Sequence, residues 1–240
     1  MITEEECIIR LEEYVFDYID GLISENKFMF RINESESKNL DDNSISECFE
    51  KNITRICIKN LDNVNEPIYV ANQSDAIIKH EIPTKFLSNL FYDINEDKKR
   101  LEYIQKYKII YINIDAKAVK NKNNDNDSKF EQFHFSNSQT SIQNFHGTRK
   151  NGISYNASGK QKTFINNKLN LTFLIKAVWS YNKKYKYDKI HLYCIPNGFY
   201  FKNIKLIINP KSYPQNIDGR FEIRLKTQQL PDNYYSEILI

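Results

Sequence analysis

The apolar residues of this chain change period along its length, and that change points to an α+β fold. Ile8, Leu11, Val15, Tyr18, Ile19 and Leu22 recur at three- and four-residue steps, the stripe of an amphipathic helix. Thr3 and Glu6 stand ahead of that stripe with capping-box spacing, so the helix is expected to run from about residue 4 to about residue 24. Near the other end Phe221, Ile223 and Leu225 alternate with Glu222, Arg224 and Lys226, the pattern of a half-buried strand.

Between these ends the signals mix. Pro83 suits a first helical turn, and Phe86, Leu87, Leu90, Phe91 and Ile94 follow it at helical spacing. A charged helix is expected over 96–106. The run 108–114 (KIIYINI) is β-branched and aromatic, which marks a central strand. Segments 28–32, 53–59, 67–71 and 130–136 read as strands, 33–46 as an acidic loop, and 136–163 as mostly irregular chain. Asn166 or Asn167 is expected to cap a further helix whose buried stripe is Phe173, Leu174, Ala177, Val178 and Tyr181, broadened by Ile175 and Trp179. Strands over 190–195 and 199–208 flank Pro196-Asn197-Gly198, a tight-turn signal. The expected architecture is an N-terminal amphipathic helix, a mixed or antiparallel sheet, and a C-terminal helix followed by a segment rich in β-hairpins.

Charge divides the chain as sharply as periodicity does. Residues 1–103 hold 12 Lys/Arg against 22 Asp/Glu, and residues 104–240 hold 22 against 9, within an overall charge of +3. The polar run 121–129 (NKNNDNDSK) lies close to this division. It suggests an acidic α+β half over 1–120 and a basic α+β half over 130–240, or one continuous domain in which 121–129 is a loop. Such asymmetry can serve attraction between the halves, stacking on partners, or a basic surface for nucleic acid.

No apolar run reaches the roughly 20 residues a membrane helix needs. The opening MITEEECIIRLEE is acidic where a secretory signal would be basic and then apolar. These features set the expectation of a cytoplasmic protein with no membrane insertion. Cys7, Cys48, Cys57 and Cys194 show no CxxC pair or metal-type spacing, so reduced and mostly buried thiols are expected, with neither metal nor cofactor. No Gly-rich phosphate loop, GxSxG or HExxH occurs.

Three local patterns carry functional suggestions. Lys176, Trp179, Lys183, Lys184, Tyr185, Lys186, Tyr187 and Lys189 interleave cations with aromatics. That pairing suits nucleic acid, because ammonium groups neutralise phosphates and rings stack on exposed bases. Asp218, Glu222 and Arg224 combine carboxylates with a cation as phosphodiester cleavage requires, but strand alternation already accounts for Glu222 and Arg224. His146-Gly147-Thr148-Arg149 resembles an element of some ADP-ribosyltransferases. That resemblance would imply that His146 contacts a nicotinamide dinucleotide, with Tyr200 and Glu237 as nominees for aromatic shelf and acid. A turn at Gly147 is the plainer expectation.

From sequence, then, the leading expectation is a non-catalytic structural or adaptor subunit of a viral or bacterial multiprotein assembly, meeting protein partners or copies of itself. A nucleic-acid-binding protein using residues 176–226 is the alternative, and an ADP-ribosyltransferase-like enzyme ranks third.

Overall fold

The structure, a computed structural model, describes residues 2–61, 76–121, 131–136, 143–148, 154–160, 164–165, 167–195, 207–210, 220–225 and 232–240. The first helix, α1 (Glu4–Glu25), starts where the capping box places it, with the Thr3 hydroxyl accepting from Glu6 N and the Glu6 carboxylate accepting from Thr3 N. Its stripe of Cys7, Ile8, Leu11, Val15, Ile19, Leu22 and Ile23 is buried. Thr3→Ala is expected to lower stability by about 1 kcal/mol through loss of the cap. In a chain of this length that is roughly 2–4 °C in Tm, measurable by calorimetry.

The segment beyond α1 departs from expectation. Residues 28–32 are not a strand: Lys27–Phe30 form a 3-10 turn. The expected acidic loop holds a short helix, α2 (Glu34–Ser37), and the start of α3 (Asp42–Leu61). Asp41 caps α3 by accepting from Asn43 N and Ser44 N at 3.2 and 2.7 Å. Residues 53–59 therefore belong to a helix, although Ile53, Ile56 and Ile58 favour strands locally. The helical stripe of Ile45, Phe49, Ile53, Ile56 and Cys57, all buried, prevails over that local preference. The strand expected at 67–71 lies outside the described residues.

Two helices follow as expected, α4 (Thr84–Leu90) behind Pro83 and α5 (Asp97–Tyr107). The main sheet is mixed and open, in the order β1-β2-β7-β8-β11. Its strands are β1 (Ala76–Glu81), β2 (Ile109–Lys120), β7 (Lys168–Tyr181), β8 (Tyr185–Ile195) and β11 (Tyr235–Leu239). β2 and β7 run parallel and the other neighbours antiparallel. A two-residue strand, β6 (Phe164–Ile165), pairs with the start of β7. β3 (Glu131–Ser136), β10 (Arg220–Leu225) and β9 (Ile207–Pro210) form a second sheet, and β4 (Gln143–Thr148) with β5 (Ser154–Lys160) a third. The α+β class and the mixed sheet are thus as the sequence indicates, and β10 is the alternating strand expected there.

The expected C-terminal helix is not formed. Residues 168–181 make β7, the strand between β2 and β8, and Asn167 takes a left-handed φ of 62° at the turn before it. Residues 169–175 are buried on both faces, as in a central strand, with Asn170 and Thr172 the polar members. Such a run satisfies helical and strand templates alike. Residues 143–148 and 154–160, expected to be irregular, pair as β4 and β5. The turn expected at Gly147 is instead strand, with Gly147 opposite Tyr155.

One face of the main sheet carries Ile78, Ile110, Ile112, Ile114, Ala116, Leu171, Phe173, Ile175, Leu192 and Cys194, which meet the helices in the buried core. His80 of this face lies 5.4 Å from the Tyr18 ring of α1. β2 precedes the 121–129 run and β7 follows it, and they pair in continuous register from Tyr111↔Asn170 to Lys120↔Trp179. Ion pairs across the charge division between residues 103 and 104 join Glu4 to Lys106, Glu81 to Lys108, Asp42 to Lys120 and Glu34 to Lys184. Part of the charge division is therefore answered within the fold. All four pairs are well exposed, so each contributes on the order of 0–1 kcal/mol.

Candidate active site

The second face of the same sheet is polar. Strand alternation turns Asn113, Asp115 and Lys117 of β2 away from the isoleucines. β7 brings Asn170, Thr172, Leu174 and Lys176 to the same face, and β8 adds Tyr193, His191 and Lys189. Two rows run across the strands. Asp115 pairs with Leu174, Leu174 with Tyr193, and Tyr193 with Tyr235; Lys117 pairs with Lys176, Lys176 with His191, and His191 with Glu237.

Asp115 is the unusual member, a carboxylate only 2% exposed in the middle of a sheet. Burying an ionised carboxylate is costly unless a cation compensates it. Lys117, two residues on and therefore on the same face, does so with Nζ 2.6 Å from Oδ1. The lysine side chain remains 40% exposed, so the pair joins a buried anion to a cation that reaches solvent. Beneath it the Asn113 side-chain amide donates to Asn170 Oδ1 and, at 3.0 Å, to the Leu171 carbonyl. These bonds tie β2 to β7 at the level of the site.

The other end of the lysine row is a histidine cluster. The Tyr193 and Tyr235 hydroxyls lie 3.1 and 3.0 Å from His191 Nδ1, and Nε2 lies 3.6 Å from Glu237 Oε2. Lys189 Nζ holds the same Glu237 oxygen at 2.7 Å. The sequence alone gave His191 no carboxylate partner, because Glu237 arrives from β11, 46 positions later.

The basic–aromatic segment is split by the strand. Trp179 and Tyr187 are buried on the helical side: the Tyr187 hydroxyl donates to the Ile45 carbonyl at 2.6 Å, and its ring lies 5.6 Å from Phe49. Tyr185 packs 5.4 Å from Trp179, its hydroxyl donating to Asp42 at 3.0 Å. Lys176 and Lys189 point to the opposite, Asp115-bearing face. Lys183, at φ 63° in the hairpin turn, Lys184 and Lys186 are exposed, with Lys184 facing Glu34 and Lys186 facing Asp188. The interleaving of cations and rings is thus the period-2 alternation of a strand, and Trp179 and Tyr187 are core residues that cannot stack on bases.

The remaining candidates lie on strands of the two smaller sheets or outside the described residues. Glu222 and Arg224 lie on β10, opposite His134 and Gln132 of β3, and Asp218 is outside the described residues. His146 lies on β4 opposite Asn156. Burial pushes the Cys7 and Cys57 thiols up to about 12, so neither is a thiolate nucleophile near neutrality. No three His, Cys, Asp or Glu side chains converge among the described residues.

Asp115 and Lys117 were missed because the apolar run was read only as far as Ile114. Carrying the alternation on by three residues would have put an acid inside a buried strand, with a lysine on the same face.

The architecture is similar in fold to those of two restriction endonucleases. The restriction endonuclease BglI, solved bound to its DNA recognition sequence, matches with TM-score 0.64 and 16% identity over 95% of this chain and 89% of that one. The tetrameric restriction endonuclease SfiI, solved bound to cognate DNA, matches with TM-score 0.56 and 10% identity over 97% and 84%. No protein-family model matches the chain, and no curated protein matches it in sequence. The likeness is one of fold, and it corrects the leading expectation from sequence: the neighbours are DNA-bound enzymes, not structural or adaptor subunits. Neither neighbour is an ADP-ribosyltransferase. Among the described residues, no helix is long and apolar enough to cross a membrane.

Proposed function

We propose that this chain is a DNA endonuclease of the restriction type, hydrolysing a phosphodiester of duplex DNA at Asp115 and Lys117. The observation that carries the reading is their pair, a buried carboxylate bound to a half-exposed lysine on the polar face of β2. That pair sits in a fold shared with two enzymes solved on DNA.

Hydrolysis forms a bond from a water oxygen to phosphorus and breaks the bond to one ester oxygen, which leaves with a proton. Negative charge grows on the non-bridging oxygens as this happens. Lys117, its head group fixed by Asp115, supplies a preplaced positive charge to those oxygens. The donor chemistry of Asp115 fits magnesium, which takes one or two carboxylates together with substrate phosphate oxygens and keeps several waters. When bound, such a cation acidifies water and polarises the phosphate. The Asn113–Asn170 bond holds the two strands in register, so that the lysine and the carboxylate act from fixed positions. Lys183, Lys184, Lys186 and Lys189 are assigned to sequence-independent contacts with the DNA backbone.

Each chain presents one Asp115–Lys117 pair, whereas the two strands of a duplex run in opposite directions. Cutting both therefore calls for two copies related by a two-fold axis, so self-association belongs to the same reading. The test is incubation of supercoiled plasmid and a random-sequence duplex library with the full chain and magnesium, with light scattering of the complex. Nicked and linear products that EDTA suppresses are expected, from a species larger than one chain. Neither binding nor cleavage of any duplex at low salt would defeat the proposal.

A further inference from the structure

We infer that Asn182, at the tip of the β7–β8 hairpin, reads a base edge in the major groove of the DNA. The inference rests on the endonuclease reading and names the residue that gives such an enzyme a sequence preference.

Residues 182–184 join β7 to β8, with Tyr181 paired to Tyr185 and Asn182 N donating to the Lys184 carbonyl at 3.2 Å. Turn chemistry does not account for the order of residues here. Lys183 holds the left-handed φ of 63°, in a region that asparagine enters more readily than lysine. The asparagine stands one position earlier, where the backbone is not left-handed. Its side chain is exposed and makes no hydrogen bond among the described residues. An outward amide of this kind offers donors and an acceptor together.

The hairpin is held stiffly behind its tip. Tyr185 N donates to Ser37 Oγ of α2 at 2.6 Å, the Tyr185 hydroxyl donates to Asp42 of α3 at 3.0 Å, and the Tyr187 hydroxyl donates to the Ile45 carbonyl at 2.6 Å. Beyond these anchors Tyr181, Asn182, Lys183 and Lys184 are exposed, the Tyr181 ring 4.7 Å from that of Tyr185. The major groove admits a two-stranded ribbon, and asparagine there pairs with adenine, accepting from N6 and donating to N7. Lys183 and Lys184, on the same turn, meet the flanking phosphates. The reach also fits. Lys120, three residues after Lys117, aligns with Trp179, and Asn182 lies three residues further on. At about 3.3 Å per residue the tip is roughly 20 Å from the level of Lys117, or about six base pairs of 3.4 Å each.

The experiment sequences two pools from a random-sequence duplex library: the duplexes retained by the full chain, and the ends it cuts with magnesium. Wild type, Asn182→Ala and Asn182→Asp are compared. The wild type should prefer adenine at a position within about six base pairs of the cut. Asn182→Ala should flatten that preference by roughly ten- to a hundredfold, the discrimination that one bidentate base contact supplies. The other positions, the salt slope of binding and Tm should stay as they are, because no phosphate contact or internal bond is lost. Asn182→Asp, which only accepts, should move the preference toward cytosine. A profile that Asn182→Ala leaves intact would overturn the inference. So would equal weakening of every sequence with a shallower salt slope, the mark of a phosphate contact. A wild type that cuts every sequence alike overturns it too and leaves the endonuclease reading standing. A wild type that binds selectively without cutting loses that reading, while the retained duplexes still report on Asn182. A wild type that binds no DNA overturns both.

Discussion

Asp115→Asn is expected to reduce DNA cleavage by roughly a hundred- to a thousandfold, the range found when a single preorganised charge-stabilising group is removed from an active site. The substitution keeps the shape of the side chain and removes its charge. Two things go with that charge: the anchor that fixes Lys117 at 2.6 Å, and the one deeply buried carboxylate that the described part of this face offers to a divalent cation. DNA binding should survive, and should rise slightly, because a negative group leaves the vicinity of phosphate. Stability should change little, since a buried amide costs less than a buried charge. Lys117→Ala behaves differently. It should also silence cleavage, but it takes the 2.6 Å cation contact away from the buried Asp115, and removing one partner of a buried pair costs on the order of 3–5 kcal/mol. The 40% exposure of Lys117 places it below that range. Plasmid cleavage, filter binding and thermal melting on the two variants read these effects apart. An Asp115→Asn protein that cuts at the wild-type rate would remove the site from β2.

This contrast bears on what was legible in the sequence. α1 was readable because its signals are local: a cap, a 3.6-residue period and an acidic first turn act within a few residues of one another. β2 and β10 were readable for the same reason. β7 was not, because the alternation of Leu169, Asn170, Leu171, Thr172 and Phe173 is broken by Leu174 and Ile175, and Phe173, Leu174, Ala177, Val178 and Tyr181 also fall at helical spacing. Its partners Ile114 and Cys194 lie far off in the chain. The site depended on β7. Lys117, Lys176, His191 and Glu237 become one row only when four strands are set side by side, and a helical reading of 168–181 scatters them around a cylinder. The basic–aromatic segment shows the converse error. Cations and rings that mix in sequence are sorted by the strand onto opposite faces, the rings to the core and Lys176 and Lys189 to the site. The charge division was visible from the start, but four of its ion pairs close within the chain. It was therefore weak evidence for external partners, and the assembly-subunit expectation leaned on it most.

The second large effect concerns the strand that carries this arrangement. Phe173→Ala is expected to destabilise the protein by about 3–5 kcal/mol, the usual cost of removing a buried phenyl ring and leaving a cavity. Phe173 is fully buried and lies in register with Ile114 on one side and Cys194 on the other, so both neighbouring strands lose contact at once. With roughly 2–4 °C per kcal/mol for a chain of this size, Tm should fall by about 6–20 °C. The ring faces the helical layer, whereas Leu174 beside it faces Asp115, so no group assigned to chemistry is touched. Cleavage per folded molecule at low temperature should therefore stay near wild type, with activity lost as the melting transition is approached. Lys176, three positions on, points to the other face. If Phe173→Ala melted at the wild-type temperature, β7 would not be the core strand between β2 and β8, and the alignment of Lys117, Lys176 and His191 would lose its basis.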